Sequence, residues 1–473
     1  MARPGHDAAQ PIGWIETTGG IIAAIGAEPE PAGRAGDLLA LPAFANAHDH
    51  GRGAQSLSLG ISDGPLELWL SRLGAEPHLD PYLRAAPAFA RMAESGIAAV
   101  MHCHNTQDGR ALMTEAQGVA RAAGDVGIRV AFAVPFAGEN PIVYGDTDRL
   151  SGLFPTGRPP SSGYRRSLKE GLCLVDAIAE METPLFSVQY GPVGPQWTGR
   201  EALETIACRS AQDGRRVHMH FFETYLQREW ADAHFPDGIV TYFDRIDLLS
   251  PRLTLAHGVW LREGELDLLA ERGVILSCNM SSNFRLSSGL PPIRKVLEHG
   301  VRFGIGLDGM SLEDDDDILR EMRLLRGVAQ ALDPGPCGAG DRHGMNGRWF
   351  DALLKTGREA ILGPDGGGAL VPGAPADFAI VDTKRVRRHV VGTASLPDLL
   401  ITRLSRRDIS TLVVAGEAVV ENGACTRVSR EELEQALYED ILRHANDRSQ
   451  DAHADKMEQA IRHFYGCGCH RQP

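Results

Sequence analysis

Short apolar runs alternate with amphipathic stretches over most of the chain, starting near residue 42. Eight of these runs have the length and composition of buried strands, and helical patterns such as residues 167–181 and 292–299 lie between them. The predicted strands are residues 42–48, 97–104, 128–134, 185–190, 215–220, 252–257, 274–278 and 301–308. Eight strands that alternate with helices predict an α/β fold, a parallel (β/α)8 TIM barrel.

Shorter strand patterns flank the predicted barrel on both sides. Two lie at 14–16 and 21–25, and three lie at 378–381, 411–414 and 418–420. Neither group is long enough to bury a core alone, so we predict one small β-sandwich domain built from both chain ends. The predicted division is residues 1–41 for the N-terminal part of the sandwich, 42–363 for the barrel, 364–428 for the C-terminal part, and 429–473 for a helix and tail.

Length and charge narrow the class of protein. A chain of 473 residues suits a barrel with a smaller added domain. A net charge of −14 without a basic patch argues against a nucleic-acid partner. No run of eighteen apolar residues occurs, the N-terminus lacks an apolar leader segment, and the eight cysteines are scattered. We therefore expect reduced thiols, no membrane association and a cytoplasmic location.

The first predicted strand ends in His48-Asp49-His50. Alternate residues of a strand point to the same side, so His48 and His50 share a face. Two imidazoles on one face at a strand end can bind one divalent metal ion. A lone pattern of this kind also fits a buried structural histidine followed by a loop residue, so its meaning depends on the stretches downstream.

The fifth predicted strand carries a similar pattern, His218-Met219-His220, with Glu223 three residues further on. A carboxyl group next to a metal site can move the proton of an activated water. His220 with Glu223 supplies such a pair. A buried histidine pair with a surface glutamate is the alternative that this stretch alone leaves open.

Two more polar residues end apolar strands. His257 is followed by Gly258, and Asp308 is followed by Gly309. A buried carboxylate is costly unless it is paired or binds a metal, which makes Asp308 a candidate ligand or base. His257 fits a site residue and a core residue equally well. The acidic run 313–317 is predicted to be a capped first helical turn, with Ser311 as the cap.

Taken together, these motifs resemble the amidohydrolase superfamily, in the branch of chlorohydrolases and heteroaromatic deaminases. The resemblance covers almost the whole chain and rests on the order and spacing of His48-x-His50, His220-x-x-Glu223, Ala256-His257-Gly258, Ser281-Ser282-Asn283 and Leu307-Asp308-Gly309. Two departures lie near the substrate: Asp49 stands between the first two histidines, and Asn279-Met280 replaces the usual Asn-Pro.

The resemblance implies one divalent metal ion per chain, zinc or iron. It implies His48, His50, His220 and Asp308 as metal ligands, with Asp308 also accepting a proton. It further implies Glu223 as a proton shuttle and His257 as a partner of substrate and water. Relatives with two metals carry a bridging lysine on the fourth strand, and none of the five lysines lies in residues 185–190.

The implied activity is hydrolysis of a C–N bond in a small molecule, first of all deamination of an amino-substituted N-heterocycle. Cleavage of an amide, urea or carbamate bond is the alternative, and a barrel that binds a metal or ligand without turnover is a second one. His104, Gln189 and Trp197 are predicted to contact the substrate, with packing at the barrel rim as the alternative. By analogy with related barrels, a homo-oligomer is compatible with the sequence.

Overall fold

A computed structural model describes residues 13–27, 37–74, 76–139, 141–145, 147–152, 166–332, 342–392, 394–444 and 449–468. Its strands are β1 (Trp14–Thr18), β2 (Ile21–Gly26), β3 (Leu38–Pro42), β4 (Phe44–Asp49), β5 (Ile97–Cys103), β6 (Arg129–Phe136), β7 (Phe186–Pro192), β8 (Val217–Phe221), β9 (Leu253–His257), β10 (Ile275–Cys278), β11 (Arg302–Ile305), β12 (Phe378–Asp382), β13 (Ile409–Val414), β14 (Glu417–Glu421) and β15 (Ala424–Cys425).

The helices follow the strands along the chain. They are α1 (Leu66–Leu73), α2 (Pro81–Glu94), α3 (Leu112–Val126), α4 (Thr147–Ser151), α5 (Leu168–Ala179), α6 (Pro195–Thr198), α7 (Arg200–Asp213), α8 (Tyr225–His234), α9 (Ile239–Arg245), α10 (Glu263–Glu271), α11 (Met280–Arg285), α12 (Ile293–Glu298), α13 (Ile318–Ala331), α14 (Arg342–Asp351), α15 (Gly357–Leu362), α16 (Lys384–Arg387), α17 (Leu396–Arg403), α18 (Arg430–His444) and α19 (Ser449–Gly466). Short 3₁₀ turns occur at Ser56–Leu59, Leu312–Asp314 and Arg406–Asp408, and a π-turn at Ala352–Thr356 joins α14 to α15.

Strands β4 to β11 form one parallel sheet in chain order, which confirms the eight predicted barrel strands. The first and last strands close the barrel through two contacts. The Asp308 backbone N–H donates to the His48 carbonyl at 2.9 Å, and the Leu307 N–H donates to Asn46 Oδ1 at 3.0 Å. Closure therefore brings the end of β4 next to the residues that follow β11, so that His48 and Asp308 become neighbours.

The barrel interior is filled by small side chains and by one helix. Ala45, Ala99, Ala131 and Ala133 form a buried cluster with Ile361 of α15, which enters from the amino-terminal end of the strands. Gly306 shows how tightly the other end is packed: a Cβ atom there would lie 2.2 Å from Asn279 Oδ1. The barrel interior is thus closely packed, and the polar side chains at the carboxyl ends of the strands face the barrel mouth.

A second, antiparallel sheet contains strands from both chain ends, in the order β15-β14-β13-β12-β3. The β1-β2 hairpin is a separate two-stranded sheet that joins it through a hydrogen bond from the Ile22 N–H to the Ala374 carbonyl at 2.9 Å. Ile22, Phe378 and Val413 belong to one buried apolar cluster between the two sheets. The predicted small sandwich is confirmed, with β3 rather than the hairpin as the paired N-terminal strand.

Two local predictions need correction or completion. The helix after the acidic run is capped by Asp317, whose side chain accepts from the Leu319 and Arg320 N–H groups, and not by Ser311. Cys103, Cys173, Cys208, Cys278 and Cys425 are free thiols as expected, whereas Cys467 is disulfide-bonded. No helix in the described ranges is both long enough and apolar enough to cross a bilayer.

Asp377 joins the small sheet to the barrel through a buried ion pair. Its carboxylate accepts from Arg129 Nε at 2.7 Å, from Arg358 Nη2, and from the Ala415 N–H at 2.7 Å. Burial alone would raise the pKa of Asp377, but Arg358 and Arg129 outweigh it and hold the pKa below its ordinary value of 3.8. A depressed pKa in the folded state stabilises the fold at neutral pH, and this contribution disappears only as the pH falls through that lowered value.

Asp377→Asn is expected to lower the free energy of unfolding at pH 7 by about 3–5 kcal/mol, because the fully buried Arg358 loses its counter-charge. Urea unfolding of the variant, the wild type and the exposed-site control Asp365→Asn measures the effect. The difference between variant and wild type should shrink as the pH falls from 3.8 through the lowered pKa of the folded carboxyl, where the wild-type group also loses its charge. Equal stability of the variant and the control at pH 7 would contradict the prediction.

Candidate metal centre and substrate cavity

Four side chains from four strand ends converge at the mouth of the barrel. His48 lies in β4, His220 in β8, His257 ends β9 and Asp308 follows β11. Each offers one ligand atom, and these atoms lie within 4.8 Å of one another. His257 and Asp308 have positive φ angles of 73° and 62°, a conformation that non-glycine residues seldom adopt. The glycine after each of them lets the chain turn away from the cluster.

His50 lies beside these four residues, and the distances among His48, His50, His220 and Asp308 fit a bound metal ion. His48 Nε2 and His50 Nε2 lie 2.9 and 3.1 Å from Asp308 Oδ1, and His220 Nε2 lies 3.4 Å from His50 Nε2. Ligands held about 2.0–2.1 Å from a tetrahedral ion stand about 3.3 Å apart. His48 Nε2 is buried and makes no hydrogen bond, since its short contact with Asp308 lacks hydrogen-bond geometry. A metal ion would satisfy this atom.

Partners on the far side of each imidazole fix its orientation. His50 Nδ1 lies 2.7 Å from the Cys103 carbonyl, and His220 Nδ1 lies 2.7 Å from the Val193 carbonyl. A carbonyl only accepts, so each Nδ1 carries the proton and each Nε2 keeps a free lone pair directed at the centre. His48 Nδ1 lies 2.7 Å from His218 Nε2. His218, which shares a face of β8 with His220, therefore orients the His48 ring.

Electrostatics favour neutral imidazoles around one ionised carboxylate. Burial lowers the pKa of His48 and His50, and burial together with the proximity of His48 lowers the pKa of His220 to about 4. Burial alone would raise the pKa of Asp308, but His48 and His50 outweigh it and hold the pKa well below its ordinary value. At neutral pH all four groups are therefore in the protonation state that binds a cation.

Glu223 lies beside this cluster, and its pKa is shifted in the opposite direction to that of Asp308. Its Oε2 is 3.6 Å from His257 Nε2, and its Oε1 is buried without a hydrogen-bond partner. Burial and the charges of Asp308 and Glu67 raise the pKa of Glu223 well above its ordinary value. Two nearby carboxyl groups with pKa values pushed apart are the arrangement used for acid–base catalysis.

Several supporting residues had no predicted role. Asn279 Nδ2 and Asn283 Oδ1 lie 3.3 and 3.4 Å from His257 Nδ1, on the side away from Glu223. Gln227 Oε1 accepts the Glu223 N–H at 2.8 Å, and Thr224 donates to Glu67 at 2.5 Å. The period of two along β8 places His218 on the same face as His220, but no sequence pattern relates Glu67 in α1 to the loop after β8.

Asp49, the unusual residue between His48 and His50, points away from the cluster. Its carboxylate accepts from Asn46 Nδ2 and the Gly51 N–H at 2.7 Å each, and from the Gly309 N–H at 3.2 Å. Burial raises its pKa to about 7. These bonds tie the end of β4 to the loop that carries Asp308.

A cavity of about 930 Å³ opens above the cluster. His50, His220, Glu223 and Asp308 line its inner end, and the predicted substrate contact Trp197 lies on its wall. His104 is also on the wall, but both its ring nitrogens already have protein partners: Nδ1 lies 3.0 Å from His102 Nε2, and Nε2 lies 2.8 Å from Glu115 Oε2. It therefore has no free ring nitrogen to offer to a substrate.

Gln189 does not line this cavity, which disagrees with its predicted contact with substrate. Strand β7 continues to Pro192, beyond the predicted end at 190, so Gln189 lies inside the strand and not at its carboxyl end. Its amide nitrogen donates to the Ala360 and Ile361 carbonyls of α15 at 3.2 and 2.8 Å. The residue holds the helix that fills the barrel interior.

A (β/α)8 barrel with a histidine–aspartate cluster at the carboxyl ends of its strands, able to hold a metal, defines a metal-dependent hydrolase. The chain belongs to the amidohydrolase family, whose sequence model matches residues 39–419. This confirms the resemblance inferred from the motifs.

Curated relatives agree with this assignment. A 5'-deoxyadenosine deaminase of Methanothermobacter thermautotrophicus is 28% identical over 396 residues, which cover 81% of this chain and 82% of that protein. A 5-methylthioadenosine/S-adenosylhomocysteine deaminase of Dictyoglomus thermophilum is 26% identical over 407 residues, 84% of this chain and 85% of that protein. The prediction of a hydrolase that acts on C–N bonds, and of a deaminase of an amino-substituted heterocycle, is thus confirmed.

Solved structures of similar fold include two zinc enzymes. An adenosine deaminase from Xanthomonas campestris with bound zinc has a TM-score of 0.73 at 20% identity, covering 91% of this chain and 93% of that one. An atrazine chlorohydrolase from Arthrobacter aurescens complexed with zinc has a TM-score of 0.74 at 21% identity, covering 90% and 94%. At these identities the likeness establishes the shared fold.

Proposed function

We propose that the enzyme removes the amino group of an adenine nucleoside modified at its 5' position, such as 5'-deoxyadenosine or 5'-methylthioadenosine. The observation that carries the proposal is the pairing of a carboxyl group of raised pKa, Glu223, with an ionised one, Asp308, at the floor of a 930 Å³ cavity. A cavity of this size accommodates a nucleoside. The deaminase relatives supply the choice of heterocycle.

One divalent metal ion, zinc or iron, would be held by His48, His50, His220 and Asp308. The donor set of three neutral imidazoles and one carboxylate suits either ion. When bound, the ion acts as a Lewis acid and lowers the pKa of a coordinated water toward neutrality.

The protein's own groups would handle the protons. Glu223, whose raised pKa favours the protonated form, donates to the ring nitrogen next to the carbon under attack. It then takes the proton of the newly added hydroxyl group and delivers it to the departing amino group, and it regains its own proton from Asp308 at the end of the cycle. Asp308, ionised, accepts the proton of the attacking water. His257 lies 3.6 Å from Glu223 and 3.9 Å from Asp308 Oδ2, where it orients the water between them. Trp197 and His104 contact the substrate from the cavity wall.

Release of ammonia tests the proposed reaction directly. Metal-loaded enzyme is expected to release one ammonia for each 5'-deoxyadenosine or 5'-methylthioadenosine consumed, measured by a coupled ammonia assay and by the purine absorbance change. A parallel panel of amides, ureas and carbamates serves as the comparison. Amine release from that panel without ammonia from the nucleosides would favour the alternative hydrolase. Metal-loaded protein inert to both panels would favour a barrel that only binds.

A further inference from the structure

Helix α19 lies over the substrate cavity although it belongs to the segment beyond the family match, which ends at residue 419. Ala454, Met457 and Ile461 of this helix line the cavity. These three positions recur at intervals of three and four residues, so they form one stripe on one face of the helix. Helix α19 is thus part of the cavity wall.

Contacts on several sides hold α19 in this position. Met457, Ile461 and Phe464 form a buried cluster with Val143 and Leu150 from the segment after β6. On the outer side, Arg72 of α1 pairs with Glu458 at 2.5 Å and with Asp455 at 2.9 Å.

The segment after β6 is also bonded to the end of α19. Tyr465 Oη accepts the Tyr144 N–H at 3.0 Å. The helix is therefore anchored by apolar packing, ion pairs and a backbone hydrogen bond.

The cavity is lined by both polar and apolar groups. Its floor carries His50, His220, Glu223 and Asp308. Apolar groups from three segments also line the cavity, which are Leu66, Trp69 and Leu70 of α1, Ile142, and the stripe of α19, and charged groups such as Arg52, Glu76 and Arg166 line it as well. A substrate that extends from the floor to α19 has a polar reacting end at the floor and an apolar group beneath the stripe of α19.

We infer that Ala454, Met457 and Ile461 of α19 form the subsite for the apolar 5' substituent of the substrate and set the size of substituent that the enzyme accepts. The inference rests on the proposed deaminase function and adds the residues that determine specificity. Removing side-chain volume from this wall enlarges the subsite, and adding volume shortens it. One methylene group in an apolar pocket changes kcat/KM by about tenfold or more.

Two opposite substitutions test this subsite. Met457→Ala and Ala454→Phe are each assayed for ammonia release with adenosine, 5'-deoxyadenosine, 5'-methylthioadenosine and 5'-propylthioadenosine. Met457→Ala should raise kcat/KM for the propylthio compound relative to the methylthio compound by about tenfold. Ala454→Phe should shift the ratio the other way.

Gln459→Ala, on the exposed face of the same helix, is the matched control and should leave the ranking unchanged. Thermal melting of each variant checks its folding. If Ala454→Phe fails to fold, the substrate ranking of Met457→Ala alone tests the subsite. Ammonia release with an unchanged ranking in Met457→Ala would overturn the inference but not the proposed function. No ammonia from any nucleoside with the metal-loaded wild type would overturn both.

Discussion

Glu223→Gln is expected to lower kcat for deamination by about 10²- to 10⁴-fold while the protein keeps its metal ion. The glutamine side chain has nearly the same shape but cannot release a proton to the ring nitrogen or the departing amino group. Glu223 is buried, its pKa is raised well above its ordinary value, and its Oε1 has no hydrogen-bond partner. These features suit a group that delivers a proton to substrate rather than one that stabilises the fold.

Steady-state kinetics and elemental analysis of the same preparations measure the two halves of this prediction. Glu271→Gln, the same change at an exposed position, should behave like the wild type in both. A Glu223→Gln enzyme with near-native kcat would remove Glu223 from the proton-transfer role. Loss of the metal from this variant would instead indicate that Glu223 supports the metal centre.

Asp308→Asn is expected to abolish stoichiometric metal binding, and with it turnover. Asp308 is the anionic member of the cluster that it forms with His48, His220 and His257, and the replacement removes that charge without removing volume. Its Oδ1 also lies within 3.1 Å of two imidazole Nε2 atoms, so one substitution alters several ligand contacts. The surrounding imidazoles hold the pKa of Asp308 well below its ordinary value, so the wild-type carboxylate is charged throughout the neutral range.

Metal content after dialysis, measured by plasma emission spectroscopy, tests this second prediction. The wild type should retain about one zinc or iron per chain, and the exposed-site control Asp237→Asn should match it. Full metal occupancy in Asp308→Asn would show that the ion binds without this carboxylate. Two ions per wild-type chain would contradict the single-metal centre proposed from the family resemblance and the absence of lysine from residues 185–190.

The strand-end histidines show how far local patterns reach. Because side chains on a strand alternate with a period of two, the histidine pairs 48/50 and 218/220 could each be assigned to one face before any coordinates were known. A parallel barrel places all carboxyl ends at one mouth, so His257 and Asp308 could be expected nearby. The structure brings these residues together, and the roles assigned to them stay predictions that the two variants above test.

Gln189 shows where a local pattern fails. It was placed near a strand end, and a difference of two residues in the end of β7 moved it from the mouth to the interior. A similar shift affects the predicted strand at 42–48: the barrel strand is Phe44–Asp49, and Pro42 instead ends Leu38–Pro42, an unpredicted strand of the small sheet. Their apolar composition indicates that both segments are buried, but it does not indicate to which sheet each one belongs.

The amino-acid sequence by itself determined the eight-stranded barrel, the sandwich from both chain ends and the shared face of each strand-end histidine pair, because each depends on periodicity within a short segment. Only the tertiary structure decided which far-side partner orients each imidazole, and that Glu67 of α1 and the apolar stripe of α19 face the cavity. Those contacts join segments up to several hundred residues apart, and they depend on how whole elements pack against one another. No local pattern records that packing, since an apolar helix face is compatible with any apolar surface of matching shape.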